Sequence, residues 1–112
     1  MNTSSNFRVM RLLVLFDLPV VKIEDRKEYQ RFRKFLINDG YYMMQFSVYS
    51  RLCNNQETLD KHVRKLVKNL PRKGSVRYLQ VTEKQYEAMK IVRGEKTKKE
   101  KYQTVEQLSI FL

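Results

Sequence analysis

The pattern of apolar and polar positions begins with a short apolar segment. Residues 12–16 are all apolar, and the run is too short to cross a membrane but typical of a buried β-strand. Asp17 follows directly, and Pro19 ends the strand because proline lacks the N–H group that a sheet ladder needs. A carboxylate at this position is usually a turn cap, although it also suits a metal or catalytic group held on a rigid element.

Two longer segments have the periodicity of amphipathic helices. Segment 24–38 places its aromatic and leucine side chains on one side, carries acids in its first turns and precedes Gly40, which suits a helix end. Asn54 and Glu57 have the spacing of an N-terminal capping box, so they predict the start of a second helix. Apolar positions then recur at helical spacing over 59–70.

The segment between the helices leaves two topologies open. Residues 41–53 suit either one long bent strand or two short strands that turn near Phe46 and Ser47. Two strands would give the βαββαβ order of a ferredoxin-like α+β fold, with an antiparallel sheet and both helices on one face. One strand would give parallel βαβ units. We favour the ferredoxin-like fold because two helices suffice to cover only one face.

The elements after the second helix are shorter. Residues 76–81 predict a strand, and 89–93 predict a second short strand. Between them, 82–89 predict a helical turn that Thr82 caps, with Gln85 at the third position. Residues 93–101 are polar and basic, which indicates a solvated loop. The apolar tail 108–112 is expected to dock, and the edge of a partner's sheet is an attractive place for it.

A chain of 112 residues indicates one domain with a modest core. We assign 1–7 to a disordered lead-in, 8–94 to the ferredoxin-like domain and 95–112 to a basic loop with a C-terminal strand. The polar start, the lack of a long apolar segment and the single Cys53 predict a soluble cytoplasmic protein in a reducing compartment, with no membrane partner.

The first strand is apolar on both of its faces. One face carries Leu12, Val14 and Phe16, and the other carries Leu13 and Leu15. Because the two helices can cover only one face, a two-fold partner is the economical cover for the other. Asp17 follows Leu13 and Leu15 at intervals of two residues, so it lies on the second face and is expected to point toward that partner.

Net charge indicates a polyanionic partner. Lys and Arg total 23 against 12 Asp and Glu, giving a net charge of +11, and nucleic acid is the commonest partner of such a surface. A lysine-rich helix is often merely solvated, but cations are dense in two segments, 61–77 and 93–101. The first segment contains no acid and seven cations: Lys61, Arg64, Lys65, Lys68, Arg72, Lys73 and Arg77. We expect sequence-independent binding to the phosphate backbone.

Motifs for catalysis are few. His62, the only histidine, has no partner at motif spacing and is expected to be a surface or half-buried helix residue. The three glycines are dispersed, and one cysteine with one histidine cannot form a zinc site. An RNA-recognition sheet would need aromatic residues where 76–82 supplies only Tyr78. The remaining candidate is Asp17 as a ligand of Mg²⁺. One carboxylate is a poor metal site, and two Asp17 side chains brought together across a dimer axis would form a better one.

Several segments together resemble a known family. They are the strand end Phe16-Asp17, the charged pair Asp25-Arg26, the segment 45–49 (Gln-Phe-Ser-Val-Tyr) and the segment 91–94 (Ile-Val-Arg-Gly). They resemble the small CRISPR-associated adaptation protein, the CRISPR-associated endoribonuclease family, and look most like members from type II systems. The family is the small subunit of the spacer-acquisition integrase complex.

This resemblance implies a homodimer in which the C-terminal strand crosses onto the partner's sheet. It implies a role in spacer acquisition, where the dimer bridges two dimers of the CRISPR integrase subunit and carries double-stranded DNA. Asp17 matches the family's metal-binding aspartate, so it is the candidate catalytic and Mg²⁺-binding residue of a hydrolase acting on RNA or DNA phosphodiesters. In the complex the family's role is chiefly architectural. The alternative is a stand-alone, toxin-like, metal-dependent nuclease of the same fold.

Two sets of candidate interface residues follow. The cations assigned to nucleic-acid binding are Arg26, Arg72, Lys73, Arg77, Arg93, Lys96, Lys98, Lys99 and Lys101. The residues assigned to partner binding are Leu108, Ile110, Phe111 and Leu112.

Overall fold

The structure is a computed structural model that describes residues 9–102. The predicted disordered lead-in and the apolar tail, with the partner-binding candidates Leu108, Ile110, Phe111 and Leu112, lie outside the described residues. Within 9–102, no helix combines the length and the apolar character that crossing a membrane requires.

Four antiparallel strands form the sheet, in the order β2-β3-β1-β4. The strands are β1 (Met10–Asp17), β2 (Tyr42–Gln45), β3 (Val48–Cys53) and β4 (Ser75–Thr82). The helices are α1 (Ile23–Asn38), α2 (Gln56–Lys68), α3 (Glu83–Glu87) and α4 (Lys98–Tyr102). The first six elements follow the βαββαβ order, so the predicted ferredoxin-like α+β fold is confirmed.

The middle segment is a pair of strands rather than one bent strand. Phe46 and Ser47 form the turn, and Ser47 has a positive φ of 65°. The register between β2 and β3 shifts between Met43 and Gln45, an irregularity of the kind that a β-bulge produces.

The core lies between α1, α2 and one face of the sheet. Leu12, Val14 and Phe16 of β1 point into it, as the strand period predicted. The Phe16 ring meets the Phe32 ring of α1 edge to face, with centroids 5.2 Å apart, which suits the quadrupoles of both rings. The other core residues from the helices are Leu36, Leu59 and Leu66.

The predicted cap of α2 is displaced by one residue. Asn55, not Asn54, is the N-cap, and its side-chain oxygen accepts a hydrogen bond of 2.8 Å from the Thr58 N–H. An N-cap side chain reaches the third helical residue, so a helix beginning at Gln56 selects Asn55 over its neighbour. The Thr82–Gln85 capping box at the start of α3 is present as predicted.

Two predictions for the C-terminal part are wrong. Residues 89–93 form no strand, because they pair with no strand in the described part of the chain, and Val92 is 96% exposed. The segment 93–101 is not a continuous loop, because its end forms α4, with Glu100 buried.

The sheet face turned away from α1 and α2, called here the open face, is covered at one end by this chain itself. Arg11 at that end is only 2% exposed, and Glu83 of α3 binds it. Further along this face, Leu79, which pairs with Leu13, is 55% exposed, and Leu15, near the other end, is 38% exposed. Residues within 9–102 therefore cover part of the open face themselves, and the end near Asp17 is exposed.

Candidate nucleic-acid interface and the Asp17 rim

Asp17 lies at the exposed end of β1, on the open face, as its parity with Leu13 and Leu15 predicted. Ser75 faces it across the ladder to β4, and Arg77 is the next residue of β4 on the same face. These side chains line a shallow depression of about 300 Å³. The aspartate is thus presented on a rigid strand and open to solvent.

Gly74 fixes the position of this rim. Its φ is +91°, a conformation that glycine tolerates and other residues rarely adopt. A Cβ atom at Gly74 would lie 2.5 Å from the carbonyl oxygen of Asp17 and 2.7 Å from the Leu18 side chain. Only a glycine therefore lets the start of β4 pass so close to the end of β1.

The donors around Asp17 in one chain do not fit a magnesium ion. Mg²⁺ takes near-octahedral oxygen ligands, usually with one or two carboxylates, whereas the neighbours of Asp17 on this face are the hydroxyl of Ser75 and the cation of Arg77. Across residues 9–102, no group of three or more metal-ligating side chains is present. Among the described residues, no second carboxylate lines the depression beside Asp17.

The nine predicted nucleic-acid-binding cations are not brought together. Arg26 donates to the carbonyl oxygens of Val20 and Val21 and so braces its own loop. The Lys73 amino group lies 3.4 Å from the Asp25 carboxylate. Both residues line a cleft with two further acids, Glu24 and Glu28, and with Arg72, another of the predicted cations. These acids weaken the case for phosphate binding by Arg72 and Lys73, and the carbonyl contacts of Arg26 weaken the case for that residue.

The other candidates are better presented. Arg77 lies on the open face beside Asp17. The remaining five are exposed along the segment after α3, namely Arg93, Lys96, Lys98, Lys99 and Lys101. On α2, Lys61, Arg64 and Lys68 are exposed and form no ion pair with any residue between 9 and 102.

A buried polar network on the open face was missed by sequence reasoning. The Arg11 guanidinium donates to both carboxylate oxygens of Glu83, at 2.7 and 3.0 Å, and to the Tyr42 hydroxyl. It also lies 4.0 Å above the centre of the Tyr86 ring. The Tyr86 hydroxyl donates to Glu100 and contacts the Tyr42 hydroxyl at 3.0 Å. The sequence feature that could have indicated this network was Arg11, an arginine within an otherwise apolar strand.

Protonation states suit this network. Burial raises the pKa of Tyr86, and its hydrogen bonds to Glu100 and Tyr42 raise that pKa further. Burial alone would lower the pKa of Arg11, but the hydrogen bond to Glu83 and nearby phenols raise it overall. Tyr86 therefore stays a hydrogen-bond donor, and Arg11 stays a cation.

His62 is buried, at 4% exposure, rather than surface or half-buried as predicted. Its Nδ1 lies 2.7 Å from Oδ2 of Asp39, whose Oδ1 accepts from Lys65 at 3.0 Å. Arg51 of β3 donates to the Asp39 carbonyl oxygen at 2.7 Å. Because α1 ends against α2, residues distant in sequence form this pair, which motif spacing could not reveal.

The His62 cluster predicts a loss of stability in mild acid. Burial lowers the pKa of His62, the positive charges of Arg51 and Lys65 act in the same direction, and Asp39 opposes them. The unfolded chain then binds the proton more readily, so the free energy of unfolding falls as pH drops below about 6.5, by up to about 1.4 kcal/mol per pH unit. Urea unfolding at several pH values between 5 and 8 measures this dependence of the free energy of unfolding on pH.

The variant His62→Gln is the control for this prediction, since it keeps a hydrogen-bonding side chain but does not titrate. Its free energy of unfolding should lack the component that appears below about pH 6.5. Equal pH dependence in the two proteins would contradict the assignment to His62.

Fold and surface define a small basic α+β protein with a ferredoxin-like sheet, exposed cations and one carboxylate presented at a strand end. The family model described as CRISPR associated protein Cas2 matches residues 10–89. The chain belongs to this family.

Individual relatives agree with this assignment. A protein of Acidovorax ebreus (strain TPSY), described as CRISPR-associated endoribonuclease Cas2, is 51% identical over 102 residues, which cover 91% of this chain and 100% of the relative. A protein of the same description from Treponema denticola is 48% identical, over 90% of this chain and 99% of the relative. A solved crystal structure of Cas2 gives a TM-score of 0.55 at 19% identity, covering 80% of this chain and 92% of that one, which supports the fold alone.

Proposed function

We propose that this protein is a homodimeric scaffold that holds double-stranded DNA during CRISPR spacer acquisition, between copies of the integrase subunit. The observation that carries the proposal is the set of exposed cations without acidic partners among residues 9–102, on α2 and on the segment after α3. Phosphate contacts from such cations release counterions and carry little sequence information.

The dimer in this proposal uses the uncovered end of the open face. Leu15 is exposed two residues before Asp17, and Leu79 is exposed opposite Leu13. Strand β4 forms one edge of the sheet. An exposed sheet edge can accept a strand from another chain. We assign that strand to the apolar tail 108–112 of the partner.

A second candidate function is a metal-dependent nuclease, favoured by the description of the relatives as CRISPR-associated endoribonucleases. The single Asp17 carboxylate of one chain does not fit Mg²⁺. This candidate therefore depends on two copies of Asp17 meeting across the dimer, where their carboxylates would together hold the ion. RNA is then a substrate to test beside DNA.

The experiment for the scaffold measures binding of a labelled DNA duplex at several salt concentrations. We expect binding that is insensitive to base sequence and that weakens at least roughly tenfold between 50 and 200 mM salt. Changing Lys96, Lys98, Lys99 and Lys101 together to glutamine should weaken binding and flatten the salt dependence. The same four-charge change at Lys22, Lys27, Lys34 and Lys84, all exposed elsewhere, is the control.

Different results would contradict different parts of the proposal. No duplex binding by the wild-type protein would contradict the scaffold. Equal losses in the two four-lysine variants would show that net charge, rather than the segment after α3, determines affinity. Mg²⁺-dependent cleavage of RNA or DNA that disappears in Asp17→Asn would favour the nuclease, and no cleavage by the wild type across a pH range would remove it.

A further inference from the structure

Helix α4 is a short element that carries both exposed cations and one buried acid. It has five residues, and a helix of this length does not persist in water by itself. Lys98, Lys99 and Lys101 are exposed, whereas Glu100 between them is only 9% exposed. An acidic side chain in a nucleic-acid-binding segment repels phosphate. Because Glu100 is buried, we expect its function to be structural rather than direct binding.

The Glu100 carboxylate fastens α4 to the open face. It accepts a hydrogen bond from the Tyr86 hydroxyl, and the Tyr86 ring lies beneath the buried Arg11 guanidinium. The contact between the Tyr86 and Tyr42 hydroxyls joins this assembly to β2. A hydrogen bond to a carboxylate is stronger than one between two neutral groups. The bond from Tyr86 to Glu100 is therefore a strong contact between α3 and α4.

Thr97 supplies a second attachment just before α4. Its hydroxyl donates to the carbonyl oxygen of Met43 in β2 at 3.1 Å. The same hydroxyl accepts the Glu100 N–H at 3.1 Å, which satisfies one of the free N–H groups at the start of the helix. Thr97 thus holds α4 directly to β2, and Glu100 reaches β2 through Tyr86 of α3 and its contact with Tyr42.

Two of the three lysines of α4 line a groove. Lys98 and Lys99, together with Arg33 of α1, lie around a groove of about 250 Å³ whose floor includes Ile37 and Met43. Three cationic residues from two elements therefore line one groove together with residues of β2. This arrangement suits an anion that extends along the surface, such as a phosphodiester backbone.

We propose that Glu100 and Tyr86 are positioning residues that hold Lys98, Lys99 and Lys101 as a fixed cationic platform for a phosphodiester backbone. The inference rests on the proposed DNA-holding function. A lysine on an ordered backbone loses less conformational freedom on binding than one on a mobile segment. Positioning therefore raises affinity, although the Glu100 charge opposes it.

Positioning and simple electrostatics predict opposite results for the variant Glu100→Ala. Removing a negative charge raises the net charge, so electrostatics alone predicts binding that is up to about twofold tighter in moderate salt. Loss of the platform instead predicts binding about fivefold weaker, the change that corresponds to one typical hydrogen bond. The matched control is Glu95→Ala, since Glu95 is exposed in the same segment.

The experiment measures duplex affinity of the full chain at about 100 mM salt, together with amide hydrogen exchange over 97–101. We expect Glu95→Ala to bind as tightly as the wild type or tighter. Glu100→Ala should bind more weakly and exchange faster over 97–101. Tyr86→Phe, which changes no charge and keeps the ring, should behave like Glu100→Ala, and thermal unfolding checks that each variant folds.

The possible failures are distinguishable. A wild-type protein that does not bind the duplex contradicts the proposed function. A wild-type protein that binds, with Glu100→Ala as tight as Glu95→Ala, contradicts the platform. Unchanged hydrogen exchange over 97–101 in both Glu100→Ala and Tyr86→Phe also contradicts it, because the lysines would then be ordered by other contacts.

Discussion

The substitution Gly74→Ala is expected to lower the free energy of unfolding by about 3 kcal/mol, from left-handed backbone strain and from overpacking together. The φ of Gly74 is +91°, and the added Cβ would lie 2.5 Å from the Asp17 carbonyl oxygen. The obstructing atom belongs to the backbone, so a side-chain rotation cannot relieve the contact. Either the start of β4 or the rim that carries Asp17 has to move.

Gly94→Ala is the matched control, because Gly94 also has a positive φ, +99°, but no atom lies within 4 Å of the added Cβ. Urea unfolding at one protein concentration should show a loss of about 1 kcal/mol or less in this variant. Any activity or metal affinity that depends on Asp17 should fall in Gly74→Ala and persist in Gly94→Ala. Equal stability losses in the two variants would contradict the close approach of Gly74 to Asp17.

Arg11→Met is expected to cost about 3 kcal/mol of folding stability, since it removes one partner of a buried ion pair. The substitution would leave the Glu83 carboxylate without its bidentate partner and Tyr42 without a donor. The network that attaches α3 and α4 to the open face would loosen. Urea unfolding measures the loss, and hydrogen exchange over 83–101 measures the loosening.

Two controls separate this network from general effects of losing an arginine. Arg64→Met changes an exposed arginine that forms no ion pair with the described residues, and should alter stability by less than about 0.5 kcal/mol. The double variant Arg11→Met with Glu83→Leu should lose about 2 kcal/mol less folding stability than the two single variants lose together. Additive losses would show that the two side chains do not stabilise each other.

Features governed by short segments followed from the sequence. The apolar run of β1 predicted a buried strand, helical periodicity predicted α1 and α2, and the Thr82–Gln85 spacing predicted the capping box of α3. The open-face position of Asp17 followed from strand parity alone. These features depend on backbone geometry over a few residues, which the order of side chains specifies.

Contacts between distant segments did not follow from the sequence. Arg11 and Glu83 are 72 positions apart, and His62 and Asp39 are 23 apart. No local period links such residues, so His62 was expected to lack a partner and 93–101 to be a loop. The length of α4 also works against its prediction, since five residues carry little helical signal and depend on docking.

Local order in the sequence is enough to predict a basic chain of two amphipathic helices and several strands, with a carboxylate at the end of the first strand. Strand period, helix period and charge are properties of neighbouring residues, whereas the division of 41–53 into two strands was settled by the pairing of β2 with β3. Which cations are available depends on contacts between distant segments, which appear only in the folded chain. The tertiary structure placed Lys73 beside Asp25, left Lys61 and Lys68 exposed, and attached α4 through Glu100. It also showed that the donors around Asp17 in one chain do not fit a metal ion, because ligand number depends on which strands and which molecules meet at that rim.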